Sequence, residues 1–102
     1  MKFIYCTCNV SMNETIKTVL TENNVRSYQI TDKVIALGPK GSPRFDTAIW
    51  PGYNVTITMQ IEDDNKAAEI IRQLKDINAD SGINDDELVT VCSWEIGSFF
   101  YD

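Results

Sequence analysis

Residues 55–77, VTITMQIEDDNKAAEIIRQLKDI, carry the strongest secondary-structure signal in the sequence. Over the first eight positions apolar and polar residues alternate, which is typical of a β-strand with one buried face. After Asp63 and Asp64, apolar residues recur at helical spacing between charged ones; they are Ala67, Ile70, Ile71, Leu74 and Ile77. The stretch therefore predicts a strand followed by a helix, and either aspartate can cap that helix.

The beginning of the chain predicts the same pair of elements. Residues 2–8, KFIYCTC, alternate between two faces as a strand does. Ser11 and Glu14 have the spacing of a capping box, in which each side chain satisfies a backbone N–H at a helix start. The apolar residues that follow have helical spacing, so we predict a first helix over about residues 12–23.

Two further strands complete the predicted fold. Residues 25–37 are rich in β-formers and lead to Gly38-Pro39, where a strand ladder cannot comfortably continue. Residues 88–94 are again apolar and β-branched, and they follow a polar turn. The chain, residues 1–102, is then one domain, for which we predict an α+β, ferredoxin-like βαββαβ fold with an antiparallel sheet and both helices on one face.

The composition argues against several classes of function. Nine basic and fifteen acidic residues give a net charge of −6 without a Lys/Arg cluster, so we expect no nucleic-acid partner. No apolar run approaches the roughly 18 residues of a membrane span, so we expect a cytoplasmic protein that does not insert into membranes. The sequence has no histidine, the usual general base, and no visible pair of nucleophile and base, so we do not expect an enzyme.

Residues 38–54, GPKGSPRFDTAIWPGYN, form a long connection between the second and third predicted strands. Compact domains join neighbouring elements with roughly two to six residues, and much longer loops are mostly functional or disordered. In an otherwise compact chain, this length predicts a loop with a function of its own.

The loop and the predicted fold together resemble the nitrogen-regulatory PII-like signalling superfamily. In that superfamily a ferredoxin-like unit projects a long, mobile T-loop between two strands, and three subunits form a trimer. The segments that carry the resemblance are Asn24-Val25, Gly38-Pro39-Lys40-Gly41, Pro43-Arg44-Phe45-Asp46-Thr47 and Trp50-Pro51-Gly52-Tyr53-Asn54. The resemblance implies a homotrimeric regulator that binds a small effector, usually an adenine nucleotide, between subunits. Its T-loop would engage a target protein, for which a membrane transporter is one candidate class by family analogy.

The resemblance also suggests site residues. Candidate effector-binding residues, at the loop base and in the turn before the last strand, are Gly38, Lys40, Gly41 and Gly82. Candidate partner-binding residues along the loop are Arg44, Phe45, Asp46 and Trp50. Arginine pairs with carboxylates or phosphates, and tryptophan is a frequent interface anchor. The alternative for Trp50 is that it packs the loop base onto its own sheet.

Two departures from the family pattern leave the effector open. Classical members use a glutamine at the loop base for metal and 2-oxoglutarate, and Gly38-Pro39-Lys40 stands there instead, which argues against 2-oxoglutarate sensing. The turn before the last strand contains Asp85-Asp86-Glu87, and three carboxylates repel a triphosphate unless a cation intervenes. An adenine nucleotide remains a candidate, although these carboxylates argue against classical ATP binding. The acidic turn is most simply a solvated loop, since a Ca²⁺ or Mg²⁺ site needs further oxygen ligands.

The three cysteines support an alternative function. Cys6 and Cys8 lie on one face of the first strand, and Cys92 lies on the last strand, which pairs beside the first in this fold. Thiolates favour Cu(I) or Zn(II), so the alternative is a CutA-like metal-binding or metal-tolerance trimer that uses these three residues. The simpler interpretation is that they are small core residues with free thiols.

The C-terminal tail is unusually apolar. Phe99, Phe100 and Tyr101 follow Trp94 and Ile96, a concentration that a small monomer seldom leaves exposed. The apolar tail predicts either self-association or a tail that folds back over its own sheet.

Overall fold

The computed structural model describes residues 1–80 and 82–100, and the strongest sequence patterns appear in it as regular elements. The strands are β1 (Lys2–Asn9), β2 (Gln29–Val34), β3 (Asn54–Ile61) and β4 (Thr90–Glu95). The α-helices are α1 (Asn13–Glu22) and α2 (Asp64–Ala79), and two short 3-10 helices span Val10–Met12 and Asp85–Glu87. Among the described residues, no helix is both long and apolar enough to cross a membrane.

The sheet has the order β2-β3-β1-β4, and each neighbouring pair of strands is antiparallel. Alternate residues of β1 and β3 point toward the two helices and form one core with them; the largest fully buried members are Ile4, Cys6, Cys8, Ile16, Leu20, Val55, Ile57, Met59, Ile70 and Leu74. Burial of one sheet face explains the alternation in both strands. The predicted α+β, ferredoxin-like fold is confirmed.

The two helices begin in different ways. Asp63 caps α2, since its side chain accepts hydrogen bonds from the backbone N–H groups of Asn65 (2.8 Å) and Lys66 (3.3 Å), as predicted. The capping box predicted from Ser11 and Glu14 is wrong. Asn9 accepts from the Ser11 N–H instead (3.0 Å) and starts the first 3-10 helix, so that α1 begins only at Asn13.

β2 is much shorter than the predicted stretch of residues 25–37. The chain leaves α1 through Asn24, whose φ of 57° lets the Val25 N–H donate to the Leu20 carbonyl at 2.9 Å. Near its other end the strand contains a register irregularity between Thr31 and Val34, with Lys33 at a φ of 55°. The regular strand covers only Gln29–Val34, and the pairing beyond it is a single bridge between Ala36 and Arg44.

Asn78, near the end of α2, fixes the chain just before β4. Its side-chain amide donates to the Val89 carbonyl and its side-chain oxygen accepts from the Val89 N–H, both at 2.8 Å. This paired contact holds the preceding 3-10 helix, Asp85–Glu87, at the end of the sheet where the 38–54 loop begins.

The tail lies partly over the open face of the sheet, the face without helices. The rings of Phe3 and Trp94 pack there with centroids 4.8 Å apart. Both residues line a shallow cleft on this face, and Phe99 lines it as well. For Phe99, which is 39% exposed, this placement fits the interpretation that the tail folds back, whereas Phe100 is 87% exposed. Tyr101, the third aromatic residue of the predicted cluster, lies outside the described residues.

Candidate functional site: the 38–54 loop and the cleft at its base

The 38–54 loop is folded on itself. Just before it, Ala36 pairs with Arg44 through two backbone hydrogen bonds of 2.9 Å each, which extend the hairpin beyond β2. On the return side, the Tyr53 carbonyl accepts a hydrogen bond from the Val10 N–H at 3.1 Å. The loop is therefore tied to the sheet at both ends and has internal backbone structure.

Arg44 lies at the centre of the loop and is only 8% exposed. Its Nε donates to the Oδ1 of Asn54, and its Nη1 donates to the Ser42 carbonyl at 3.3 Å. The same Nη1 lies 3.6 Å from a carboxylate oxygen of Asp86. Arg44, a candidate partner-binding residue, is therefore buried in the isolated chain, where its guanidinium joins the two sides of the loop.

Asp86 docks the start of the loop against the second 3-10 helix. Its Oδ1 accepts a hydrogen bond from the Ser42 N–H at 2.8 Å. Gly41 has a φ of 81°, which favours glycine, and a Cβ at this position would lie 2.6 Å from the Asp86 Oδ1, so a larger residue would displace this carboxylate. The acidic turn is thus more than a solvated loop, since one of its carboxylates organises the neighbouring segment.

A cleft of about 420 Å³ opens at the base of the loop. Gly38, Lys40 and Arg44 line it on the loop side, and Asp85 and Thr90 are among the residues on the other side. Two of the four predicted effector-binding residues therefore line one cleft. An anion at Lys40 would meet the carboxylate of Asp85 across the same space, so the cleft has mixed charge.

The other two predicted effector-binding residues lie elsewhere. Gly41 lies against Asp85 and Asp86, as described above. The Gly82 N–H donates to the side chain of Asp80 at 2.8 Å, and Gly82 is not among the residues that line the cleft. Residue 81, part of the same turn, lies outside the described residues.

A second cleft, of about 440 Å³, lies on the open-face side of the loop. Five residues line both clefts, namely Gly38, Pro39, Arg44, Leu88 and Thr90, and the second cleft is also lined by Tyr5 and Thr7. Arg44 lines both clefts. A ligand in either one would therefore contact the residue that holds the loop together.

The tip of the loop, defined as residues 46–51, projects apolar side chains. Of the predicted partner-binding residues, Phe45 is half-buried at the edge of the tip, Asp46 is exposed, and Trp50 is 42% exposed. Ile49 is 80% exposed and was missed by the sequence analysis, although an isoleucine beside a tryptophan in a turn-rich loop is itself a signal of an exposed apolar pair.

Comparison with known proteins identifies the fold. No family model and no curated protein matches the sequence. Among solved structures, CPII from Thiomonas intermedia K12, a nitrogen regulatory PII-like protein bound to ADP and bicarbonate, matches with a TM-score of 0.67 and 12% identity, over 95% of this chain and 88% of that chain. A PII-like signalling protein from Thermus thermophilus matches with a TM-score of 0.62 and 16% identity, over 91% of this chain and 83% of that one.

The chain has the PII-like fold. The resemblance inferred from the loop segments is therefore confirmed at the level of the fold. A further structure of CPII contains ADP, AMP and bicarbonate and matches with a TM-score of 0.64 and 13% identity, over 97% of this chain and 94% of that chain.

The fold separates Cys92 from the other two cysteines. In the β1–β4 register Cys6 pairs with Val91 and Tyr5 pairs with Cys92, so Cys92 lies on the open face while Cys6 and Cys8 point toward the helices. The prediction that three thiols converge is wrong. Across residues 1–80 and 82–100, no group of three or more Cys, Asp or Glu side chains is placed to hold a metal ion.

The two buried thiols affect each other. Interaction with the neighbouring Cys8 thiol, together with burial, raises the pKa of the Cys6 thiol far above its usual range. The same interaction lowers the pKa of Cys8, and the positive charge of Arg44 acts in the same direction. Both side chains are nonetheless inaccessible, so the lowered pKa of Cys8 does not make it reactive.

Cys92 is expected to react with a thiol reagent before Cys6 and Cys8 do. The reagent must reach the sulfur, and of the three only Cys92 is exposed in the folded chain. Labelling the native protein for increasing times, followed by peptide mass mapping, checks the order. A Cys92→Ser variant serves as the control and should lose the early labelling; earlier labelling of Cys6 or Cys8 would contradict their core positions.

Proposed function

We propose that this protein is a PII-like regulator, in which an effector enters the cleft at the base of the 38–54 loop and changes how the loop meets a target protein. The observation that carries the proposal is the double role of Arg44, which lines the cleft and also joins the loop to Asn54 and Asp86. A ligand that interacts differently with two arrangements of a loop shifts their populations. An effector that competes for this guanidinium would act on the loop directly.

The charge of the cleft favours an effector of modest negative charge. Lys40 and Arg44 attract an anion, whereas Asp85 in the same cleft and Asp86 beside it oppose a high negative charge. CPII, which shares the fold, has been solved with ADP, AMP and bicarbonate. We therefore take ADP and AMP, with bicarbonate as a further candidate, ahead of ATP.

The proposal includes an assembly and a cellular context. The protein would act as a homotrimer, with the clefts completed between subunits, and in the cytoplasm. Its effect on a target, for which a membrane transporter is a candidate by family analogy, would come from binding without catalysis. The exposed Trp94 on the open face of the sheet supports self-association, because an apolar patch of this kind is commonly covered by another surface.

Native mass spectrometry of the purified protein with ADP, AMP or ATP tests the proposal. We expect a trimer that binds up to three molecules of ADP or AMP, and weaker binding of ATP. A Lys40→Ala variant is expected to bind ADP roughly tenfold more weakly, because it loses one charge-assisted contact. The loss is to be measured by calorimetric titration.

The matched control is Lys75→Ala, which removes a lysine exposed on α2 and away from the cleft. This variant is expected to bind ADP as the unchanged protein does. A monomer, or a trimer that binds none of the three nucleotides with bicarbonate present or absent, would contradict the proposal.

A further inference from the structure

The C-terminal tail leaves the sheet at the end opposite the 38–54 loop. The ladder between β1 and β4 continues one step past Glu95, where the Ile96 N–H donates to the Met1 carbonyl at 3.2 Å. At Gly97 the chain departs from this ladder, and within the described residues a Cβ at that position would have no neighbouring atom within 4 Å. Gly97 is thus a joint at which packing does not fix the direction of the tail.

Phe99 brings the tail back over the open face of the sheet. It lines a cleft of about 360 Å³ together with Phe3 of β1, Gln60 of β3 and Trp94 of β4. It also lines a cleft of about 620 Å³ whose other residues include Gln29 of β2. The tail therefore lies against residues from all four strands and covers this end of the open face.

The covering segment, residues 96–99, is named the strap, and it is held weakly. The side chain of Phe99 keeps 39% of its surface exposed, and that of Trp94 in the same cleft keeps 51%. Partial burial of one ring returns only part of the free energy of a fully buried phenylalanine, and the entropy lost on ordering a flexible segment opposes it. The closed and open positions of the strap therefore differ little in free energy, and a competing surface can displace it.

The strap lies where a second copy of this chain would make its apolar contact. The helices bury the other face of the sheet, so that only the open face is left for packing between sheets. Toward the loop this face is polar, because Thr7 pairs with Thr56 on one side and Thr90 on the other. Its stacked aromatic pair, Phe3 and Trp94, lies at the strap end, and apolar contact between two copies centres there.

We infer that the strap is an autoinhibitory contact, which covers the aromatic end of the open face in the single chain and swings away at Gly97 before a second copy packs there. The inference rests on the homotrimer of the proposed function and adds a step that sets the concentration at which chains assemble. When only a fraction of the molecules is competent to bind, the apparent affinity falls by that fraction. Loosening the strap therefore favours assembly, whereas the loss of an ordinary interface residue disfavours it.

Phe99→Ser tests the inference through the concentration dependence of assembly. Sedimentation velocity of the full chain over a dilution series gives the midpoint, the concentration at which half of the chains are assembled. We expect the midpoint to fall by about threefold or more in Phe99→Ser, because a docked ring no longer competes with the second copy. An unchanged midpoint, or a higher one, would overturn the inference. An unchanged protein that stays assembled throughout the series would overturn it as well, since the strap would then never limit assembly.

Phe100→Ser is the matched control. It makes the same chemical change at the next residue, whose side chain is 87% exposed and lines neither of the two clefts. The midpoint of this variant should equal that of the unchanged protein. An equal fall in both variants would mean that the tail acts through its general apolar character, which would overturn the strap.

Quenching of Trp94 fluorescence by acrylamide reports the strap in the single chain. The chain has two tryptophans, so the measurement uses a Trp50→Phe background, at a concentration below the midpoint. Phe99→Ser is expected to make Trp94 more accessible to acrylamide, and Phe100→Ser is not. Equal quenching in the two variants would show that Phe99 does not cover the aromatic pair, and would overturn the inference.

The dilution series also separates this inference from the proposed function. A trimer whose midpoint does not respond to Phe99→Ser would overturn the strap and leave trimeric assembly in place. Chains that stay monomeric in every variant, up to the highest concentration, would contradict the trimer and the strap together.

Discussion

Arg44→Ala is expected to lower the free energy of unfolding by about 1–3 kcal/mol and to free the 38–54 loop. The buried Asn54 Oδ1 loses its donor, and an unsatisfied buried acceptor costs about 1–3 kcal/mol. The ion pair with Asp86 adds little, because that carboxylate is half-exposed and screened by water. Urea unfolding measures the first effect, and amide hydrogen exchange over residues 38–54 measures the second.

The matched control for Arg44 is Arg26→Ala. Arg26 is exposed and, within the described part of the chain, makes no hydrogen bond or ion pair. Its removal should change stability by less than about 0.5 kcal/mol and leave exchange in the loop unaltered. If amide hydrogen exchange in the loop is as slow in Arg44→Ala as in the unchanged protein, contacts other than those of Arg44 order the loop. That result would contradict the coupling proposed between the cleft and the loop.

β3 and α2 were predictable from sequence because their signals are local. Alternation over residues 55–62 follows from one buried sheet face, and the apolar stripe of α2 follows from one buried helix face. The Asp63 side chain caps N–H groups only two and three residues away, so the start of α2 is set by local contacts. The fold class then follows from the order of the strands and helices, and it does not change when the first or last residue of an element is misplaced.

The start of α1 was mispredicted because two local caps compete. The spacing of Ser11 and Glu14 is correct for a capping box. In the structure, however, the Asn9 side chain accepts the hydrogen bond from the Ser11 N–H and caps a 3-10 helix. Both arrangements use short-range hydrogen bonds of similar strength, so the sequence pattern alone cannot rank them.

The candidate site was only partly predictable because its contacts are long-range. The loop length and the turn residues were sufficient to identify a functional segment. The hydrogen bond between the Ser42 N–H and the Asp86 carboxylate, however, joins residues 44 positions apart. The spacing of residues along the sequence gives no sign of such a contact. Cys92 illustrates the same limit, because a shift of one residue in strand register moves a side chain to the other sheet face.

Ile57→Ala is expected to lower the free energy of unfolding by about 2–5 kcal/mol, the largest change of any substitution considered for this protein. Ile57 is fully buried in the middle of β3, between Cys6 of β1 and Ile30 of β2, so its removal leaves a cavity that neighbouring strands cannot close. Chemical denaturation followed by circular dichroism measures the loss.

Ile49→Ala makes the same chemical change at the exposed tip and is the control for Ile57. It should alter stability by less than about 0.5 kcal/mol, because the side chain is already in water and leaves no cavity. Equal losses at the two positions would mean that the tip packs against the core. A neutral Ile49→Ala, by contrast, separates folding from binding, so that any loss of partner affinity at this position belongs to the interface itself.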